Sequence, residues 1–152
     1  MKKVLIALDY HPVAEEVARK GHELAKTLGA SVCLLHAVTD VGYYGMEYPS
    51  FMGYNGYNIA TEMNLASEMR TFAEDFMKSA VKHLNDDVVT YHITEGDTAT
   101  GILSYAEEWN AGLIVMGTHS HSALEKLLVG TVASKVLERT KIPVYMVPVK
   151  KD

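Results

Sequence analysis

Thiols are almost absent from this chain: Cys33 is the one cysteine in 152 residues. No internal disulfide and no thiolate zinc cluster can be built from it, and inside an apolar run it reads as a small buried hydrophobe. Positive charge is also short. Lys and Arg number 14 against 19 Asp and Glu, a formal net charge of -5, which argues against a general nucleic-acid-binding face. A small anionic ligand stays open, because main-chain amides bind phosphate without net positive charge. No apolar stretch approaches the roughly eighteen residues that a membrane span needs. Internal repeats, low-complexity tracts and a second-domain linker are all missing, so residues 1–152 read as one domain with a real core. The start, Met1-Lys2-Lys3, runs straight into a strand-like segment without signal or transit character, and the expected location is the cytoplasm.

What is present is an alternation of short apolar runs with longer ones of helical spacing. Val4 to Leu8 is continuous and apolar, as for a strand covered on both faces. Pro12 suits a first helical turn, Val13, Val17, Leu24 and Leu28 follow on one face, and Gly29 ends that helix. Val32 to Val38 reads as the second strand. Thr61 is expected to open a helix burying Leu65, Met69, Phe72, Phe76, Ala80 and Leu84, and Val88 to Ile93 to form an edge strand. Thr98 is expected to cap a helix burying Ile102, Leu103, Ala106 and Trp109. A strand at Leu113 to Met116, a helix from Gly130 to Arg139 and a strand at Ile142 to Val147 complete a βαβαβαβαβ order. That order predicts an α/β fold, an open, Rossmann-like, mostly parallel five-stranded sheet with helices on both faces. Ligands of such sheets sit beyond the carboxyl ends of the strands, where strand order reverses.

The segment after the fourth strand is the most informative. Gly117 ends that strand, where a residue without Cβ lets a ligand approach the backbone. Ser122 and Glu125 have capping-box spacing, which predicts a short helical turn. Gly130 and Thr131 stand where the next helix begins, and free amides there, with the positive dipole end and the Thr131 hydroxyl, form a phosphate site. The spacing is not that of a P-loop, which needs a lysine directly after its final glycine.

On these residues the chain resembles the universal stress protein family, whose nucleotide-binding members carry G-x-x-G-x9-G-[ST] after the fourth strand. Gly117, Gly130 and Thr131 match, and Ser120 replaces the second glycine. Asp9 after the first strand, Leu35-His36-Ala37-Val38, Ile114-Val115-Met116-Gly117 and Ile142-Pro143-Val144 extend the resemblance over essentially the whole chain. It implies a stress-responsive regulatory protein that binds ATP or another adenine nucleotide, often with a divalent cation such as Mg2+ or Mn2+ shared with the phosphates. By matching position, Asp9 would bond the ribose hydroxyls, and the Ala37 backbone would face the adenine edge with Met116 nearby. Gly117 would lie against sugar and phosphate, and Gly130, Thr131 and Val132 would hold the phosphates. It further implies a homodimer through the last strand, Ile142 to Val149, with no membrane and an unidentified protein partner.

Several features stay open at this stage. If position 120 needs a left-handed backbone, Ser120 costs roughly 1–2 kcal/mol, about tenfold in affinity. The alternative is therefore a dimeric interaction module without nucleotide. Tyr10-His11-Pro12 stands where the family has a small polar helix cap. His119 and His121 supply two metal ligands with no evident third, and read either as groups beside phosphates or as solvated imidazoles. Residues 42–58 carry Tyr43, Tyr44, Tyr48, Tyr54 and Tyr57 among glycines, and read as a lid, a partner surface or a loosely packed insertion. No general base is identifiable, so at most slow ATP hydrolysis is expected.

Overall fold

Apolar runs of strand length and amphipathic runs of helix length fold as their periods dictate. A computed structural model describes residues 3–9, 14–38, 50–51, 54–55, 62–118 and 130–148. Its elements are β1 (Lys3–Ala7), α1 (Ala14–Leu28), β2 (Ser31–Val38), β3 (Ser50–Phe51), β4 (Tyr54–Asn55), α2 (Glu62–Leu84), β5 (Thr90–Glu95), α3 (Thr98–Glu108), β6 (Leu113–Gly117), α4 (Thr131–Arg139) and β7 (Val144–Val147). Five strands form one sheet in the order β5-β2-β1-β6-β7, with every neighbouring pair parallel. The short β3 and β4 pair antiparallel as a separate hairpin within the tyrosine-rich segment, an element that its aperiodic sequence did not suggest.

Alternation along the strands divides the core into two layers. Val4, Ile6, Val32, Leu34 and Val115 meet Val17, Ala18 and Ala25 of α1 and Met69, Phe72, Ala73, Phe76 and Met77 of α2. Leu5, Leu35, Ile114 and Met116 meet Ala99, Ile102 and Ala106 of α3 and Ala133 and Val136 of α4. Cys33 belongs to this second layer, and burial pushes its thiol pKa up. Gly29 ends α1 at φ 65°, a left-handed conformation in which a residue without Cβ is unstrained.

Three boundaries differ from the sequence expectation, each for a local reason. The cap of α3 is Asp97, not Thr98: its carboxylate accepts from the Thr100 N–H at 3.0 Å and the Thr100 hydroxyl at 2.7 Å. β5 begins at Thr90 because Asp86 holds the preceding residues in a turn, accepting the Val88 N–H at 3.2 Å through its side chain and the Val89 N–H at 3.2 Å through its carbonyl. β7 begins at Val144, since Pro143 has no N–H and Thr140 Oγ1 bonds both the N–H and the carbonyl of Ile142. Both expected edges are observed, with β5 and β7 outermost. Pro12, Val13 and Thr61 lie outside the described residues.

Gly21 sets how closely α1 seats on the sheet. A Cβ there would stand 2.7 Å from Ile6 Cδ1 and 3.0 Å from Val115 Cγ1, both in fully buried side chains. Gly21→Leu should therefore destabilise the protein by about 3 kcal/mol through overpacking, read as a lowered urea midpoint at unchanged slope. An unchanged midpoint would contradict this seating.

Candidate functional site

From β1 the chain winds outward through β2 to β5, then crosses to β6 and β7 on the other side of β1. Strand order thus reverses between β1 and β6, and open α/β sheets bind their ligands beyond the carboxyl ends of the strands at such a reversal. Ala7 stands opposite Leu35, and Ile6 opposite Val115. Asp9, Ala37 and Thr118 thus lie at or just beyond the carboxyl ends of three adjacent strands, β1, β2 and β6. Asp9 is half-buried, Ala37 and Met116 are buried, and Gly117 is half-buried at the last position of β6.

Thr118 joins the end of β6 to the start of α4. Its N–H donates to the Val147 carbonyl at 3.0 Å, and its carbonyl accepts the Gly130 N–H at 2.6 Å. The Gly130 amide, expected among the free donors, is therefore already used. The first bond within α4 runs from the Ser134 N–H to the Gly130 carbonyl at 2.9 Å. Thr131, Val132 and Ala133 thus have N–H groups without an acceptor inside the helix.

Gly130 is buried and extended, with φ −69° and ψ 167°, and it offers no side-chain cap. Thr131 is exposed, Val132 is half-buried, and the first turn of α4 holds no acidic side chain. This terminus, uncapped and positive, has the donor chemistry that phosphate oxygens require. Among the described residues no three His, Cys, Asp or Glu side chains gather into a metal site. His119, Ser120 and His121 lie outside the described residues, as do Ser122 and Glu125.

Two residues beside these positions were given no role from the sequence. One is Thr118, which acts here through its main chain and so leaves no side-chain signature. The other is His36, whose signal was a histidine within an apolar strand. It is 2% exposed and lies in β2 one residue before Ala37. Its Nδ1 is 2.8 Å from the Leu8 carbonyl, and its ring meets Phe76 edge-on at 5.6 Å. Burial pushes its pKa down to about 4, with the Leu8 bond opposing, so the ring is neutral near pH 7.

The comparisons agree with this architecture. The universal stress protein MJ0531 of Methanocaldococcus jannaschii is 28% identical over 148 residues, covering 96% of this chain and 81% of that protein. The solved structure of MJ0577, a universal stress protein of the same organism, superposes with a TM-score of 0.76 at 28% identity, covering 99% of this chain and 98% of that one. A universal stress protein from Archaeoglobus fulgidus, solved in complex with dAMP, shares the fold at a TM-score of 0.57 and 20% identity, covering 96% and 97% of the two chains. The sequence model of the universal stress protein family matches residues 1–148, and with the parallel five-stranded sheet this places the chain in that family.

Proposed function

We propose that this protein binds an adenine nucleotide, with ATP the leading candidate, and acts through nucleotide-dependent contact with a partner rather than through turnover. One observation carries the reading: the Thr118–Gly130 hydrogen bond sets the uncapped start of α4 against the end of β6, next to Gly117. Phosphates held by the Thr131 and Val132 amides would then lie over a backbone without Cβ. Gly130 serves by having no side chain to occupy that space. Asp9, just beyond the end of the neighbouring strand β1, would bond the ribose hydroxyls, and the Ala37 backbone would face the adenine edge beside Met116. His119, Ser120 and His121 belong to this reading as phosphate-side candidates from the sequence alone.

Family membership supports this reading, as does the dAMP complex of the Archaeoglobus fulgidus protein. A cation such as Mg2+ or Mn2+, shared with the phosphates, belongs to the same reading. Pairing of two copies along β7, whose Tyr145 is 43% exposed, belongs to the same proposal.

The test is the nucleotide carried by protein purified without added ATP, released by denaturation and identified by chromatography, together with a calorimetric titration. Retained adenine nucleotide, or saturable uptake of one ATP per chain, is the expected result. An empty protein that gives no heat up to millimolar ATP would leave only the interaction module that Ser120 suggests.

A further inference from the structure

We infer that His36 is a positioning residue that fixes Asp9 for ribose binding by holding the peptide group between Leu8 and Asp9. The inference rests on the nucleotide reading above and assigns a side chain that this reading does not use.

Residue 8 is held at both ends of its backbone. Its N–H donates to the Leu35 carbonyl at 2.8 Å, and its carbonyl lies 2.8 Å from His36 Nδ1. A carbonyl cannot donate, so Nδ1 carries the proton and the imidazole is the donor. That carbonyl belongs to the peptide unit leading into Asp9. Because the unit is planar, fixing the oxygen fixes the plane from which the Asp9 Cα departs. The direction of the Asp9 side chain is then set before any ligand arrives.

The ring has little freedom to do otherwise. It is 2% exposed, with Phe76 of α2 against its edge. Alternation along β2 sends His36 toward α1 and α2 and Ala37 toward the opposite layer. Two consecutive residues thus serve one ligand from the two faces of the sheet. Leucine would fill this position without burying a polar ring, so stability alone does not account for the histidine. Its distinctive contribution is a donor aimed at the end of β1.

The experiment compares His36→Leu, which removes the donor, with His36→Asn, whose Nδ2 sits at the same branch position. Each is made in the wild type and in Asp9→Ala, and ATP affinity is measured by calorimetry. His36→Leu should weaken ATP by about tenfold and His36→Asn by no more than about twofold. In the Asp9→Ala background, His36→Leu should have no further effect. Equal losses in the two variants, or a full loss that persists without Asp9, would overturn the inference. Resonances of ligand-free protein supply a readout independent of binding. His36→Leu should displace the Asp9 amide, Cα and Cβ signals, and His36→Asn should leave them in place. If the wild type bound no ATP, the nucleotide reading would fail by itself. Unmoved Asp9 signals in His36→Leu would then overturn the positioning role separately.

Discussion

Thr131→Asp is expected to give a more stable protein that binds ATP about a hundredfold more weakly. Thr131 opens α4, is exposed, and follows a residue with no capping side chain. The first turn has no acid, although Arg139 already complements the dipole at the other end. A carboxylate at this position meets the orphan N–H groups and the positive dipole end, worth about 0.3–1 kcal/mol. The same charge opposes a phosphate chain on those amides. Two unit charges about 5 Å apart at an effective dielectric near 20 repel by roughly 3 kcal/mol, which corresponds to the hundredfold loss. The two effects have opposite signs, so weakened binding cannot be ascribed to damaged folding. Denaturant midpoints give the first and calorimetry the second. A stabilised variant that binds ATP like the wild type would move the phosphates away from α4.

The second large effect concerns acid. Unfolded, the His36 imidazole takes up a proton near its ordinary pKa of 6.5; buried in the fold, it does so only near about 4. Between those values the unfolded chain binds more protons, so stability falls as the pH falls. The contribution is fully present above pH 6.5 and is lost on the way down to about pH 4. Over that interval the loss is about 3 kcal/mol. His36→Asn removes the titrating ring, and its stability should change correspondingly less over the same window. Hydrogen bonds from His22 to Asp86 and from Thr100 to Asp97 hold those two carboxyls below their ordinary range. Their contributions fade at still lower pH and are common to both proteins. Urea titrations at several pH values from 7 to 4.5 provide the comparison. Parallel stability curves for the two proteins would contradict the buried neutral ring.

The order of strands and helices was legible because burial on two faces leaves continuous apolar runs and burial on one leaves a helical stripe. Met69, Phe72 and Phe76 pack as their spacing anticipated, and Ala73 and Met77 widen the stripe because α2 lies against both α1 and the sheet. Ends were less legible, since they depend on single hydrogen bonds. Asp97 rather than Thr98 caps α3 because its carboxylate reaches the N–H three residues on. Val88 looks like a strand residue yet is 76% exposed, because Asp86 turns the chain there.

At the candidate site, the positions of Gly117 at a strand end and of Gly130 and Thr131 at a helix start were readable from the sequence. The bond that brings them together was not, for it joins two main-chain groups, of Thr118 and Gly130, that any residue pair could offer. His36 was visible as part of a strand but not as a donor. Its partner is a carbonyl twenty-eight positions earlier, reached only once β1 and β2 pair.

The most direct measurement is a 1H–15N correlation spectrum of the uniformly labelled protein titrated with ATP. The account predicts saturating shifts of the Thr131, Val132 and Ala133 amides together with Gly117 and Asp9, and quiet signals at the amino ends of the strands, such as Val4 and Val32. A spectrum unchanged at millimolar ATP, or shifts that spare the start of α4, would contradict it.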